Sequence, residues 1–177
     1  MFFSPFYFSN SHTNYGEYNP TQEEEKQYKA ICNFKGANCE DNGYAILTEY
    51  PDKTLVELDL YNLPPGIHGF HIHESANMRK GCNSLGSHYN PFGNMHSGLN
   101  ELENHIGDLG NINVDATGRC NSVIMVNYLP MSGKYSVIGR SMVIHSGMDD
   151  LGKGGNEDSK KTGNSGGRIS CGIIGYL

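Results

Sequence analysis

The sequence predicts an all-β protein, a sandwich or a barrel, from its composition and from one clear strand. Glycine is abundant, with 23 of 177 residues, and tryptophan is absent. No long segment shows helical periodicity. In Thr54–Tyr61, the apolar residues Val56, Leu58 and Leu60 alternate with acidic ones, which is typical of a strand with one face in the core and one in water. Many short strands with turn-rich connections favour a sandwich or a barrel.

Strand-like patterns recur along the chain after residue 27. They cover Ala30–Phe34, Tyr44–Thr48, Thr54–Tyr61, Gly69–Glu74, Asn111–Val114, Asn121–Asn127, Met142–His145 and Ile169–Ile174. Between them, Ser75–Leu109 shows no convincing period, and Gly147–Gly167 is a second, glycine-rich loop. A loop as long as the first is uncommon in a compact domain unless it is functional, so we expect metal or disulfide links to order it.

Residues 28–177 are predicted to form one domain, long enough to bury a substantial core. Residues 1–27 are rich in Asn, Ser, Tyr and Glu, which favours a flexible N-terminal extension. Their Phe and Tyr content leaves a docking peptide as the alternative.

Charge and hydropathy narrow the classes of partner. The formal charge of −6 argues against nucleic acid, since a phosphate-binding surface needs clustered Lys and Arg. No run of about twenty apolar residues exists, so no membrane span is predicted. The first ten residues make a poor signal peptide, and we expect an intracellular, cytosolic protein. Five cysteines are an odd number, so at least one is a free or intermolecular thiol.

The positions of the histidines indicate a metal site. His71 and His73 lie two residues apart in a predicted strand, so their side chains point to the same face about 7 Å apart. Such a pair alone also occurs in protein cores. Six of the eight histidines, however, follow residue 70, and an aspartate follows the fifth of these six by three residues. The set comprises His71, His73, His88, His96, His105, His145 and Asp108.

Imidazole suits copper and zinc, and three imidazoles with one carboxylate make a tetrahedral zinc site without thiolate. Six histidines and an aspartate exceed what one tetrahedral ion needs, which implies two ions. Because zinc has no redox chemistry, a redox reaction would fall to the other ion. The alternative is one structural zinc with spare core histidines.

Several motifs, in order along the chain, resemble those of the copper/zinc superoxide dismutases. They are Gly69-Phe-His-Ile-His-Glu74, Gly81-Cys82, His88-Tyr-Asn-Pro91, His105-Ile-Gly-Asp-Leu-Gly-Asn111, Gly152-Lys-Gly-Gly-Asn156 and Gly172-Ile-Ile-Gly175. The resemblance covers about residues 28–177. It implies an eight-stranded antiparallel Greek-key β-barrel or sandwich with two long functional loops.

The resemblance also implies one copper and one zinc ion per subunit. Carried over by position, the copper ligands would be His71, His73, His88 and His145, and the zinc ligands His88, His96, His105 and Asp108. His88 would then be shared, with one ring nitrogen bonded to each metal. Asp149 matches a carboxylate that links the copper ligand His71 to the zinc ligand His96 and fixes their orientation. The alternative for Asp149 is an acid that caps a loop.

Two further assignments follow from the same resemblance. Cys82 and Cys171 match a disulfide within the subunit, which would tie the long loop to the last strand. Arg168 matches the arginine beside the copper that docks the anion; its alternative is a solvated loop arginine. A charged loop would focus superoxide into the site, which explains how a protein of charge −6 attracts an anion. Its matching residues are Glu157, Asp158, Lys161 and Thr162.

The implied function is the conversion of superoxide to oxygen and hydrogen peroxide by alternate reduction and reoxidation of copper. His88 and Arg168 would be the catalytic residues, with His88 delivering a proton to the peroxide. The alternative is a non-catalytic metal-binding relative, either a decoy for a copper chaperone or a metal buffer. Such relatives have typically lost copper histidines or the arginine, and this sequence keeps them all.

The expected partners, besides superoxide, are a second copy of the chain and a copper-delivery protein. Val137–Gly139 and Ile173–Gly175 resemble the apolar dimer patch of the family. Ser75 and Ala76 depart from it, since the family usually has an aromatic residue and a glycine at these positions near the dimer contact.

Overall fold

The computed structural model describes residues 27–177, so the predicted N-terminal extension lies outside the described residues except for Gln27. This part of the chain forms nine strands and one short helix. They are β1 Lys29–Gly36, β2 Asp41–Glu49, β3 Thr54–Leu60, β4 Gly66–His73, β5 Arg79–Cys82, β6 Asp108–Val114, β7 Cys120–Val126, β8 Ser141–His145, α1 Ser159–Thr162 and β9 Arg168–Tyr176.

Eight strands form one antiparallel sheet in the order β6-β4-β8-β9-β1-β2-β3-β7. The two outermost strands, β6 and β7, lie against each other, so the sheet curls into a nearly closed barrel. Among these eight strands, β1, β2 and β3 are neighbours both in sequence and in space, and so are β4 and β6, and β8 and β9; the other connections join strands that are not paired with each other. The predicted all-β, eight-stranded antiparallel barrel is therefore confirmed.

The alternation seen in the sequence fills the barrel. In β3, the residues Val56, Leu58 and Leu60 are buried while Glu57 is exposed. Phe34 of β1 and Phe70 of β4 meet in the same core with ring centroids 6.0 Å apart. Burial of this apolar face supplies the main favourable free energy of folding, at about 25 cal/mol per Å².

Two elements differ from the sequence expectations, and both lie in the predicted loops. β5 is a strand of four residues that contains a glycine and leaves its first three residues exposed, so no alternation marks it. α1 is a single turn of four residues, too short to show a period of 3.6. No helix among residues 27–177 is long and apolar enough to cross a membrane.

The predicted disulfide is present between Cys82 of β5 and Cys171 of β9, with an S–S distance of 2.04 Å. It lies in a small apolar cluster with Leu85 and Val143, separate from the barrel core. It closes a loop of 89 residues, which stabilises a fold by roughly 4–5 kcal/mol in the chain-entropy model. The free thiols among the described residues are Cys32, Cys39 and Cys120.

Candidate metal centre

Neighbouring strands carry three of the histidines. His71 and His73 lie on β4, and His145 is the last residue of β8, which pairs with β4 along Phe70–His73. An isolated backbone bridge between His73 and His88 brings the long loop onto the end of β4. On the other side of β4, the pairing of His71 with Asp108 places the start of β6 beside the same histidines.

Two sets of four buried donors among residues 27–177 have ligand atoms within 4.8 Å of one another. The first contains His71, His73, His88 and His145, and is called here the four-histidine group. The second contains His71, His88, His96 and Asp108. Direct contacts of the aspartate favour His105 over His71 as the last member of this second set, because Asp108 Oδ1 lies 3.1 Å from His105 Nδ1. The set of His88, His96, His105 and Asp108 is called the carboxylate group.

In the carboxylate group, three imidazole nitrogens converge on one oxygen. Asp108 Oδ1 lies 2.9 Å from His96 Nδ1, 3.0 Å from His88 Nδ1 and 3.1 Å from His105 Nδ1. The His96 contact is close in distance but does not have the alignment of a hydrogen bond. The His88 and His105 contacts are aligned as hydrogen bonds. Three imidazole nitrogens that converge beside one carboxylate fit the donor set of a metal ion.

The buried nitrogens without a hydrogen-bond partner belong to the same two donor groups. Within the described residues they are His71 Nδ1, His88 Nε2 and His96 Nδ1. A buried polar atom left unpaired costs about 1–3 kcal/mol, so an unpaired cluster points to a missing ligand. His88 has Nδ1 on the carboxylate group and unpaired Nε2 on the side of the four-histidine group, as a shared ligand requires.

Each of the other ring nitrogens is engaged by the protein. Asp149 accepts hydrogen bonds from His71 Nε2 and His96 Nε2, both at 2.8 Å, and thereby joins one histidine of each group. His73 Nδ1 donates to the carbonyl of Gly86 at 2.9 Å. His145 Nδ1 contacts the Gly166 carbonyl at 3.2 Å. These bonds fix the tautomers so that the opposite nitrogens face the donor groups, where His73 Nε2 and His145 Nε2 lie 3.3 Å apart.

His68 is a useful contrast. It is also buried, but both of its ring nitrogens contact backbone carbonyls at 2.8 Å, those of His145 and Pro64. With no nitrogen left over, it is a structural residue beneath the site.

The two groups differ in charge. Burial lowers the pKa of His71 to about 3, of His73 to about 2 and of His145 to about 4, so these rings are neutral at neutral pH. For His96, burial also disfavours the charged form, but Asp108 and Asp149 outweigh it and raise its pKa to about 9.

A cavity of about 760 Å³ opens onto the histidines. His73, His88, His105 and His145 line it, together with Arg168. The Arg168 guanidinium donates to the carbonyl of Cys82 at 2.7 Å and to that of Gly86 at 2.5 Å. The Gly86 carbonyl therefore holds both Arg168 and His73. These backbone contacts leave no signal in the sequence.

The residues of the predicted charged loop also line the cavity. They are Glu157, Asp158, Lys161 and Thr162, with Lys160 beside them. The loop is anchored from below by Asp150, which accepts from Ser159 Oγ at 2.7 Å and from Asn164 Nδ2 at 2.6 Å. Gly163 follows α1 with φ 64°, and a side chain there would collide with the Asp149 carboxylate.

The fold and this site together define a class of protein. The family model described as copper/zinc superoxide dismutase (SODC) matches residues 41–174. The chain belongs to this family. A solved structure titled "Crystal Structure Analysis of the clock protein EA4" is similar to the chain, with 38% identity and a TM-score of 0.79. The match covers 85% of this chain and 96% of that one.

Proposed function

We propose that the protein is a superoxide dismutase that converts superoxide to oxygen and hydrogen peroxide. The observation that carries the proposal is the pair of donor groups that meet at His88, next to a cavity that also contains Arg168. Family membership supports the same reaction. Neither donor group alone would distinguish a redox enzyme from a protein that stores one metal.

The four-histidine group is assigned to copper and the carboxylate group to zinc, with one ion of each per subunit. All-imidazole donors suit copper, whereas three imidazoles and a carboxylate suit four-coordinate zinc. Copper, when bound, supplies the one-electron redox change, and zinc supplies none. His71, His73 and His145 are neutral at neutral pH, so they are ready to bind a cation.

His88 and Arg168 are assigned as the catalytic residues. His88 Nε2 is unpaired, and its ring lines the cavity, so this atom can hold a proton and pass it to a peroxide leaving the site. Arg168 is fixed by the two carbonyls, and its positive charge faces the cavity beside neutral histidines. A fixed cation in a narrow cavity both attracts and positions a small anion.

Glu157, Asp158, Lys161 and Thr162 are proposed to guide superoxide toward Arg168. Both signs of charge line the cavity, and its cations include Lys161 and Arg168. A local field of this kind directs an anion to one cavity even when the net charge of the protein is −6.

A non-catalytic metal-binding relative is the second candidate, and one observation favours it. The similar solved structure is titled as a clock protein, not as a dismutase. The presence of all six histidines and Asp108 in the two donor groups, with Arg168 in the adjoining cavity, supports the enzyme instead.

The test is metal analysis together with a superoxide-decay assay on the purified wild type and on His145→Ala. We expect one copper and one zinc per chain in the wild type and rapid turnover. Removing a residue that only hydrogen-bonds to a metal ligand lowers metal affinity or activity by about 10–100-fold. Removing a ligand itself should therefore reduce turnover by at least about 100-fold. Zinc without copper, and no turnover after copper loading, would support the non-catalytic candidate.

A homodimer and delivery of copper by another protein also remain proposals. In the predicted dimer patch, Val137 and Ile174 are buried within the chain, while Ile138 and Ile173 are half-buried. Sedimentation tests the dimer: a monomer at micromolar concentration would implicate Ser75 and Ala76.

A further inference from the structure

A second cavity, of about 310 Å³, lies between the loop that joins β5 to β6 and the segment that follows β7. Ile106 and Val126 are buried apolar residues in its wall. Three large apolar side chains also line it and remain exposed: Phe92 is 51% exposed, Tyr128 53% and Leu102 98%. Large apolar side chains gathered around a cavity of this size are typical of a binding site.

The second cavity carries little charge. Glu101 is the one charged side chain among the described residues that line it, and the others are apolar residues, asparagines and a tyrosine. The cavity beside the donor groups, in contrast, is lined by several acidic and basic side chains. A neutral, apolar ligand therefore fits the second cavity better than an ion or a charged peptide does.

The chain enters the barrel at the same end as this cavity. The N–H of Glu49, the last residue of β2, donates to the carbonyl of Tyr28 at 3.0 Å. Thr54, the first residue of β3, is the register partner of Glu49 on one side and of Val126 on the other. Three strand spacings of about 4.8 Å therefore separate Tyr28 from Val126, which is roughly 15 Å along the sheet.

The sequence that precedes the described residues contains an apolar, uncharged stretch. Four of the seven phenylalanines of the protein lie in Phe2–Phe8, together with Tyr7. Met1–Asn10 contain no Asp, Glu, Lys, Arg or His, whereas residues 17–26 contain four Glu and one Lys. Residues 9–26 span up to about 60 Å when extended, so their length allows the aromatic stretch to reach the cavity.

We propose that the second cavity binds Phe2–Phe8 of the same chain, with aromatic rings of this stretch packed against Phe92, Leu102 and Tyr128. Ring contacts with Phe92 and Tyr128 add to the burial of apolar surface. A flexible covalent link gives the stretch an effective concentration in the millimolar range, so the chain fills its own cavity before a second copy does. This binding does not depend on the proposed dismutation.

The absence of tryptophan from the sequence allows a direct test on the full-length chain. Phe6→Trp and Phe8→Trp, made separately, each introduce a single indole into the stretch, and Tyr15→Trp introduces one outside it. We expect acrylamide to quench at least one of the first two indoles roughly threefold less than the Tyr15→Trp indole, because a bound ring is removed from water. Equal quenching at all three positions would overturn the proposal.

Two charges at the rim of the cavity should release the stretch. Leu102→Asp/Tyr128→Asp alters exposed side chains and should raise quenching to the level of Tyr15→Trp, because an aromatic ring does not bury a carboxylate without cost. Tyr44→Asp/Val123→Asp is the matched control, since it adds the same charge at exposed residues that do not line the cavity. Protection that survives the rim variant, or that both variants remove, would overturn the proposal.

Dilution distinguishes binding within one chain from binding of a second copy. Binding within the chain is independent of protein concentration, so we expect the same quenching at about 1 μM and about 100 μM. Protection that appears only at the higher concentration would assign the cavity to a second copy and contradict the proposal. The dilution series uses the unaltered cavity, so it stands even if the rim variant folds poorly.

Discussion

The four-histidine group and the carboxylate group share His88 but are held in place in different ways. Three members of the four-histidine group lie on β4 and β8, where strand pairing fixes their positions. Three members of the carboxylate group come from the loop between β5 and β6, and Asp108 gathers them through contacts of 2.9–3.1 Å. One group is positioned by the sheet and the other by a carboxylate.

The groups also differ in charge and, in part, in access: the cavity is lined by every member of the four-histidine group except His71, and by only His88 and His105 of the carboxylate group. His73 and His145 are neutral rings that face the cavity, whereas His96 carries a raised pKa and lies away from it, against Asp108 and Asp149. Neutral ligands beside a cavity suit an ion that meets substrate. A charged cluster within a loop suits an ion that ties the loop to the barrel. We therefore expect the chemistry at the four-histidine group and a mainly structural role for the carboxylate group.

The largest effect should come from breaking the link between the two groups. In Asp149→Asn, the amide can accept from only one of His71 Nε2 and His96 Nε2, so one ring loses its tautomer and orientation. We expect affinity for the ion held by the ring that loses its acceptor to fall by about 10–100-fold. Metal titration checks this, with Asp150→Asn as the control because Asp150 contacts Ser159 and no histidine. If Asp149→Asn binds both ions as tightly as the wild type does, the linking role of Asp149 is contradicted.

Arg168→Gln should separate substrate docking from metal binding. It removes the fixed cation facing the four-histidine group while leaving every ligand in place, so we expect turnover to fall about tenfold with metal content unchanged. Arg119→Gln is the matched control, since Arg119 is exposed and pairs with Asp59 at 3.4 Å. Equal rates for Arg168→Gln and wild type would remove the docking role.

The contrast in pKa predicts a stability optimum for the metal-free protein. An unfolded histidine titrates near pH 6.5, above the folded values for His71, His73 and His145, so the unfolded state gains more protons as pH falls and stability is lost. His96 acts in the opposite sense, because its contribution is present below about pH 6.5 and lost as pH rises through about 9.

We therefore expect maximal stability of the metal-free protein near pH 6.5. Between pH 6.5 and 5.5, His71, His73 and His145 should each remove roughly 1 kcal/mol of unfolding free energy, and His88, whose pKa burial also lowers, acts in the same direction. Urea unfolding with a chelator at pH 5.5, 6.5 and 8.5 checks the curve. A steady gain in stability on acidification would contradict the assignment of neutral rings to the four-histidine group.

The smallest effect should lie at the mouth of the cavity. Lys160 is 3.3 Å from Glu157, whereas Lys161 forms no ion pair within residues 27–177. We expect Lys161→Gln to slow turnover about twofold at low salt, and Lys160→Gln to change it less, because the partner already screens that charge. Turnover rates measured as a function of ionic strength test this order. A larger effect of Lys160→Gln than of Lys161→Gln would contradict it.

Some features of the fold and the site could be predicted from the sequence, and others only from the structure. The alternation in β3 and the spacing of His71 and His73 follow from the period of a strand, so they were predictable. His145 as a ligand and Cys171 as a disulfide partner lie far along the chain from their partners, and only the resemblance of motifs predicted them. The disulfide is confirmed. The anchoring of Arg168 by the Gly86 carbonyl was not predictable, since backbone atoms are the same at every residue. β5 escaped detection because its four residues show no local alternation, and its contact with β9 joins segments that are far apart in the chain.

The most direct measurement is the metal content of His145→Ala beside His105→Ala, each purified after loading with both ions. We expect His145→Ala to keep zinc and lose copper, and His105→Ala to keep copper and lose zinc, because each residue belongs to only one group. Two variants with the same metal content, whether both ions are lost or one ion is kept in both, would contradict the division into two sites.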